Sequence, residues 1–238
     1  MTDAILDALW PRRCAVCGRP ADRPGRHVCS ACLMRIPFIP PIGCCSRCGR
    51  AIEGHEGEYL CLDCERNKPF FDRAASAFRF EGAARELLLG YKFNAHLWLK
   101  DDLSDWLEAC IRAHFAAPSV DLILPMPLTL FHRIDRGYNQ SAYLAEEVAR
   151  RIGRKCRDDI LKRTGRPKRQ AGLDEEERRQ NVKGTIAVRR PEFVRGRTIL
   201  LIDDVMTTGS TLSEAARVLK LAGAWRIWCA TLARSIRS

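Results

Sequence analysis

The stretch that most constrains the fold lies near the C-terminus, where a short aliphatic run is followed by two acids and then by a loop of small hydroxyl residues. Residues 199–202 form the aliphatic run, which is typical of a parallel strand covered on both faces. Asp203 and Asp204 come directly after it. At the carboxyl end of a strand in an open α/β sheet, two adjacent acids can project into the ligand crevice and accept hydrogen bonds from neighbouring hydroxyl groups. The order of residues therefore predicts a site for two ribose hydroxyls.

The residues that follow the acids predict a phosphate-binding loop. Four hydroxyl side chains flank one glycine, and an apolar helical pattern begins at Leu212. Free backbone N–H groups and the dipole at a helix N-terminus favour an anion, and the glycine lets the backbone close around it. A plain strand, loop and helix with an ordinary N-cap is the alternative, but a cap requires one hydroxyl residue and this loop has four. The residues predicted to bind the phosphate are Met206, Thr207, Thr208, Gly209, Ser210 and Thr211.

Most of the 12 cysteines lie in the N-terminal part of the chain, in four Cys-x-x-Cys pairs that form an internal repeat. Without an export signal, zinc explains such pairs better than disulfides. Cys44 and Cys45 both have a permissible spacing, and the repeat favours Cys45. Sites made of cysteine alone are closed and structural. The sequence thus predicts two structural zinc ions, with the ligands Cys14, Cys17, Cys29 and Cys32 in one site and Cys45, Cys48, Cys61 and Cys64 in the other.

Length and composition suit one globular domain of ordinary size and a smaller module, with 238 residues of which 46% are hydrophobic and 29% charged. The cysteine pairs end just before residue 68, so we expect a zinc module over residues 1–68 and an α/β domain over residues 69–238. The apolar runs are short, and residues 4–10 are too short and too close to acids for a signal peptide. We therefore expect no membrane insertion and a cytoplasmic protein.

Periodicity places further elements in the second domain. Pro125 and Pro127 stop a short aliphatic strand and predict a second binding loop after it. An amphipathic helix follows, with Asn139 or Ser141 as its cap. The other predicted elements are strands over residues 74–80, 121–124 and 226–232 and helices over residues 83–93 and 103–115.

Several of these segments resemble known sequences. Residues 199–211 resemble the phosphoribosyl pyrophosphate (PRPP) loop of type I phosphoribosyltransferases, in which the acidic pair holds the ribose and the Thr-Thr-Gly-Ser-Thr turn holds the 5′-phosphate. The cysteine-rich N-terminus, the segment over residues 125–140 and the PRPP loop occur in the order found in the ComF family, which is associated with DNA uptake during competence. A fourth segment agrees with that family through Arg163, Thr164, Gln170, Arg178, Asn181 and Val182.

The resemblance implies a fold and a chemistry. The fold is a type I phosphoribosyltransferase-like parallel sheet flanked by helices, preceded by a zinc-ribbon-like double module with four cysteines per site. The ligand is PRPP with Mg²⁺, with Asp203 and Asp204 as catalytic residues, Arg133 and Arg136 as further PRPP-binding residues, and residues 162–183 as a mobile loop over the site. The reaction is displacement of pyrophosphate at the anomeric carbon, although no motif in the sequence identifies an acceptor or its pocket.

Charge leaves a second hypothesis open. The net charge is +11 and the pI about 9.3, with the excess concentrated in residues 150–197. Together with Trp98, Phe131 and Tyr138, these basic residues suit single-stranded DNA, with a PRPP site that is not catalytic. Arg150, Arg151 and Arg154 are instead interpreted as a solvated helix face. A third hypothesis makes the zinc module a docking surface for a protein of the competence machinery.

Overall fold

The computed structural model describes residues 12–52, 54, 57, 59–129, 137–165 and 180–235. A parallel five-stranded sheet has the order β1-β7-β6-β2-β3, and β4 pairs with β5 in a separate antiparallel ribbon. The strands are β1 (Arg73–Arg79), β2 (Leu122–Pro125), β3 (Lys155–Cys156), β4 (Leu161–Arg163), β5 (Ile186–Val188), β6 (Thr198–Met206) and β7 (Arg226–Arg234).

Helices cover both faces of the sheet. They are α1 (Ser30–Leu33), α2 (Leu62–Arg66), α3 (Gly82–Phe93), α4 (Lys100–His114), α5 (Gln140–Ile152) and α6 (Ser210–Leu221), with short 3₁₀ turns over Leu97–Leu99, Ala117–Ser119 and Pro191–Phe193. Alternate side chains of β6 pack into the apolar cores on the two faces of the sheet. Leu200 and Ile202 pack with α4 and α5 on one face, while Ile199 and Leu201 pack with α6 on the other. The predicted α/β class with a parallel sheet is confirmed.

The two cysteine-rich units join opposite faces of this sheet. Cys14, Cys29 and Cys32 belong to the apolar cluster that contains α3, α4 and α5. Cys45 and Cys48 belong to the cluster on the other face, with α6. The sequence repeat therefore does not place its two halves side by side on one surface. The division into residues 1–68 and 69–238 stays a prediction.

The strand that carries the two acids is longer than its aliphatic run. The prediction that the strand stops at Asp203 is wrong, because β6 continues to Met206 through parallel pairing with β7, where Asp203 lies opposite Thr231 and Met206 opposite Arg234. The aliphatic run marks only the part that β2 also covers, since β2 ends at Pro125. The acids thus lie on the hydrogen-bonded ladder, which fixes their direction.

The other predicted elements are present with shifted ends. Helix α4 begins at Lys100, and the C-terminal strand reaches Arg234. Asn139 is the N-cap of α5, and its side-chain oxygen accepts a hydrogen bond from the backbone N–H of Ser141 over 3.1 Å. None of the helices in the described ranges is long and apolar enough to span a bilayer.

Candidate functional site

The two predicted ribose acids lie at the carboxyl edge of the sheet, beside the first turn of α5. The hydroxyl of Ser141 donates a hydrogen bond to Asp203 Oδ1 over 2.9 Å. The side-chain amide of Gln140 donates to Asp204 Oδ2 over 3.1 Å, and Lys92 Nζ lies 3.0 Å from the same oxygen. Helix α3 thus supplies a cation, and α5 supplies two neutral donors, to a carboxylate pair held on β6.

The two carboxyl groups have different charge states because their surroundings differ. Burial and the neighbouring charge of Asp204 raise the pKa of Asp203 to about 7. Burial acts on Asp204 as well, but the charge of Lys92 and the hydrogen bonds from Lys92 and Gln140 outweigh it and lower the pKa of that carboxyl. At neutral pH Asp204 is therefore ionised, while Asp203 is close to its titration midpoint.

A cavity of about 450 Å³ opens beside the acids, a volume typical of small-molecule sites. Its polar wall contains Asp203, Asp204, Lys92, Gln140 and Arg163. Its apolar wall comes from α3 and from the segment after β2 and includes Leu88, Leu89, Phe93, Met126, Pro127 and Leu128. The cavity thus combines acceptors for hydroxyl groups, two cations for an anion and an apolar surface for a ring.

Two polar atoms of this wall are buried without a hydrogen-bond partner in the described part of the chain, namely Gln140 Oε1 and Arg163 Nε. An unsatisfied buried polar group costs about 1–3 kcal/mol. Burial also lowers the pKa of the Arg163 guanidinium, although the charge of Asp203 opposes this shift. A polar ligand in the cavity would supply the missing partners, so both side chains are suited to binding one.

The predicted phosphate loop lies between the end of β6 and the start of α6. Gly209 has φ +78°, and an added Cβ there would lie 2.5 Å from the terminal methyl of Met206, so any other residue would strain the backbone and displace the end of that side chain. The hydroxyls of Thr208 and Ser210 are 2.7 Å apart, and the backbone N–H of Ser210 donates to Thr208 Oγ1 over 3.3 Å. The loop and Asp203 enclose a cavity of about 40 Å³. That is room for about three water-sized groups, the scale of a phosphate.

The structure brings most of the predicted site residues together. Asp203 lines both cavities, as do Thr207 and Thr211. Met206 lines the smaller one, but its side chain is buried and its sulfur accepts from Arg234 Nη1 over 3.2 Å. Outside the described residues lie the predicted Arg133 and Arg136, together with Phe131, Gln170, Arg178 and most of the predicted mobile loop.

Sequence reasoning missed the cation and the apolar wall that α3 contributes. Lys92 lies in the last turn of α3, and Phe93 next to it is 60% exposed. In the sequence these residues are a lysine and a large aromatic side chain at the end of an amphipathic helix. That pattern does not indicate which residues of other segments the end of the helix contacts. Arg163 and Gln140 were noted as parts of motifs, but without a position in the site.

The cysteines form two clusters of four, Cys14, Cys17, Cys29 and Cys32 in one and Cys45, Cys48, Cys61 and Cys64 in the other. A zinc ion with about 2.3 Å bonds to a tetrahedron of thiolates holds the sulfurs about 3.8 Å apart. The observed separations are 3.8 Å for Cys17 and Cys29 and 3.7 Å for Cys48 and Cys61. The geometry therefore fits structural zinc in both sites.

The second cluster contains Cys45 and not Cys44. Cys45 Sγ lies within it and accepts from the backbone N–H groups of Cys48 and Cys61 over 3.5 Å and 3.3 Å, as a thiolate does in a zinc site. Cys44 instead donates to the carbonyl oxygen of Pro40 over 3.2 Å. These contacts favour Cys45, which stays a predicted ligand, and each cluster consists of consecutive Cys-x-x-Cys pairs.

Comparisons with known sequences agree with these two parts. A sequence profile described as "Double zinc ribbon domain" matches residues 5–67, and one described as "Phosphoribosyl transferase domain" matches residues 139–238. "Competence protein F" of Haemophilus influenzae is 30% identical over 228 residues, which cover 94% of this chain and 97% of that protein. The chain belongs to the ComF family.

Further relatives have similar lengths. "DNA utilization protein YhgH" of Escherichia coli K12 is 26% identical over 224 residues, covering 92% of this chain and 96% of that protein. "Competence protein ComFC" of Bacillus subtilis is 27% identical over 209 residues, covering 83% and 79%. The predicted resemblance to ComF proteins is confirmed, and the phosphoribosyl transferase match includes the acids and the loop after them.

Proposed function

We propose that this ComF-family protein binds PRPP with Mg²⁺ at the carboxyl edge of its sheet and acts in DNA uptake or use. The observation that carries the proposal is the convergence, on adjoining cavities, of two acids, a phosphate-sized loop cavity and two buried polar atoms that have no hydrogen-bond partner among the described residues. Its role in DNA metabolism rests on the printed names of its relatives, "Competence protein F" and "DNA utilization protein YhgH".

Each residue has a proposed task. Asp203 and Asp204 accept hydrogen bonds from the ribose hydroxyls and stabilise positive charge at the anomeric carbon. Residues 206–211 hold the 5′-phosphate through backbone N–H groups and hydroxyls. Lys92 and Arg163, on the wall shared with the acids, take up negative charge of the pyrophosphate. The apolar wall on α3 is the proposed place of an acceptor ring.

Magnesium fits the donor set of this edge. Mg²⁺ prefers oxygen ligands and is often held by one or two carboxylates together with substrate phosphates. Asp203 is half-buried and lines both cavities, so its carboxylate can face a metal that travels with the ligand. When bound, Mg²⁺ neutralises the pyrophosphate and makes it a better leaving group.

The cysteine clusters support a structural role for zinc and a location. Thiolate ligands persist in a reducing compartment, and we therefore propose that the protein acts in the cytoplasm. Because each cluster is packed into one face of the sheet, loss of zinc would disturb both cores and not only the N-terminal segment. A protein of the competence machinery as a partner stays a proposal without a defined surface.

Calorimetric titration of the zinc-loaded protein with PRPP and Mg²⁺ tests the proposal. Wild type is expected to bind, and an Asp203→Asn/Asp204→Asn variant, which keeps the shape of both side chains, is expected to lose saturable binding. Asp158→Asn/Asp159→Asn is a matched control, because it removes another adjacent acidic pair, which lines neither cavity. Equal binding by wild type and the Asp203→Asn/Asp204→Asn variant would refute the site.

Binding of single-stranded DNA by a protein whose PRPP site is not catalytic is the second candidate, and the net charge of +11 favours it. Part of the basic excess is neutralised internally, since Arg150 and Arg151 pair with Glu147, and Arg157 pairs with Asp159. Salt separates the candidates. Affinity for single-stranded DNA falls with a log-log slope of about 0.7 per neutralised phosphate, whereas a pocketed ligand responds less.

A further inference from the structure

A second and larger cavity, of about 940 Å³, lies between the second cysteine cluster and the phosphate loop. Cys48 and Cys64 line it on one side, and Thr208, Gly209 and Ser210 line it on the other. It includes neither of the two acids of the PRPP site. Its volume is within the range of small-molecule sites. The phosphate loop thus separates this cavity from the smaller phosphate cavity.

The charge of this cavity favours an anion. Four cationic side chains line it, Lys68, Lys183, Arg217 and Arg234, against the two acids Asp63 and Glu214. Both acids are already paired. Glu214 accepts two hydrogen bonds of 2.8 Å from Arg217 as well as one from the backbone N–H of Gly184, and Asp63 lies 3.5 Å from Arg50.

Lys68 and Lys183 carry the unbalanced charge. Both are exposed at the cavity, and across the described residues neither ammonium group lies in an ion pair. Arg234 is buried and donates to the carbonyl oxygen of Cys48 over 2.6 Å, which fixes its guanidinium beside the cysteine cluster. Two lysines that line the same cavity without a partner acid among the described residues suit a phosphate group.

An aromatic face completes the site. Phe70 lines the cavity and is 52% exposed, so its ring is accessible to a ligand there. Its backbone N–H donates to Ser213 Oγ over 3.1 Å, which holds the segment against α6. A base can stack on such a ring. Phe71, the next residue, is buried close to Gly209 and also lines the cavity.

We infer that this cavity is a second ligand site, which binds a nucleotide unit through Lys68, Lys183 and Phe70. The phosphate lies between the lysines and the base lies on the phenyl ring. The nucleotide comes either as a free nucleoside monophosphate or as one residue of a single strand, because both carry a phosphate and a base. The site is separate from the proposed PRPP site, so either one can fail without the other.

The experiment measures binding of dAMP by calorimetry and of a fluorescein-labelled oligothymidylate by anisotropy. Titrations with these two probes use the Asp203→Asn/Asp204→Asn protein, so that a nucleotide in the PRPP site does not contribute. Zinc content and the circular dichroism spectrum check that this protein is folded, and the single Asp203→Asn variant replaces it if it is not.

Three variants in that background test the assignment. Lys68→Ala/Lys183→Ala is expected to weaken binding by about tenfold or more, since each lysine gives a charged hydrogen bond. Phe70→Leu keeps the apolar volume but removes the ring, and is expected to weaken binding by about fivefold or more. Lys155→Ala/Arg189→Ala removes the same charge from exposed positions away from the cavity and is expected to leave affinity nearly unchanged.

The two probes identify the source of the nucleotide. Binding of both, with the expected sensitivity to the variants, supports a site for free nucleotides, and binding of the oligonucleotide alone, with the same sensitivity, supports a strand. The proposal is overturned if neither probe binds, if Phe70→Leu binds as tightly as its parent, or if the control loses as much affinity as the lysine variant. PRPP titration of the lysine variant, made in the otherwise unchanged chain, shows independently whether the PRPP site is intact.

Discussion

Replacement of Gly209 by alanine tests how tightly the phosphate loop is built. Gly209 has φ +78°, and a Cβ there would lie 2.5 Å from Met206 Cε and 3.7 Å from Phe71. The left-handed backbone costs a non-glycine residue about 1–2 kcal/mol. The end of the Met206 side chain is flexible but buried, so displacing it adds about 1 kcal/mol, the lower end of the cost of an extra methyl group in a packed position. We therefore expect Gly209→Ala to lower the free energy of unfolding by about 2–3 kcal/mol.

Gly153→Ala is the matched control for this prediction. Gly153 ends α5 with φ +67°, and nothing lies within 4 Å of an added Cβ, so the substitution costs only the backbone strain. Urea unfolding gives the free energy, and calorimetry with PRPP and Mg²⁺ gives the affinity. We expect Gly209→Ala to lose about tenfold or more in PRPP affinity and Gly153→Ala to keep it. The reasoning is refuted if the two variants are equally stable and bind PRPP equally well.

Three further predictions concern the protonation of Asp203, the zinc ligands and the guanidinium of Arg163. PRPP affinity is expected to rise as the pH increases through about 7, because Asp203, with its pKa of about 7, loses its proton and becomes a full hydrogen-bond acceptor. The variant Asp203→Asn should flatten this part of the pH profile of PRPP affinity measured by calorimetry. Cys45→Ser is expected to reduce the bound zinc, measured by atomic absorption, from two ions per chain to one and to lower the melting temperature. Cys44→Ser is expected to leave both the zinc content and the melting temperature unchanged. Equal zinc loss by the two variants would contradict the ligand set. Arg163→Met removes a guanidinium whose Nε lacks a partner in the described structure. We therefore expect no loss of stability in thermal unfolding, while PRPP affinity falls by about tenfold. A large loss of stability would show that Arg163 is structural.

The features that local sequence determines were predictable. The cysteines of the two clusters come from pairs with two residues between them in a repeat, and that repeat also favoured Cys45 over Cys44. The phosphate loop is contiguous in sequence and follows a strand whose aliphatic run is plain. Asn139 caps α5 because its side chain needs only the two residues after it. In each case the interacting groups are close in the chain.

Features that depend on packing between distant segments were not predictable in the same way. The periodicity of α3 identifies its buried face but gives no indication that Lys92 will meet Asp204, which is far away in the sequence. The end of β6 was placed too early because the pattern shows where the strand is covered by β2, while pairing with β7 extends it to Met206. The placement of the two cysteine clusters on opposite faces also depends on tertiary contacts.

The cavity beside the second cysteine cluster illustrates the same limit. Lys68 and Phe70 follow that cluster, Lys183 precedes β5, and the loop at Gly209 belongs to the end of β6. Each residue alone is an ordinary surface or loop residue. Arg234, at the end of β7, joins the cluster to the sheet through the carbonyl of Cys48, and this contact spans most of the chain. The site is formed only by the assembled fold.

A crystal structure of the zinc-loaded protein with PRPP and Mg²⁺ tests the central claim most directly. We expect electron density for the 5′-phosphate within residues 206–211, for the ribose hydroxyls against Asp203 and Asp204, and for the pyrophosphate toward Lys92 and Arg163. Density for PRPP elsewhere on the protein, or its absence from this edge of the sheet at saturating concentration, would contradict the account.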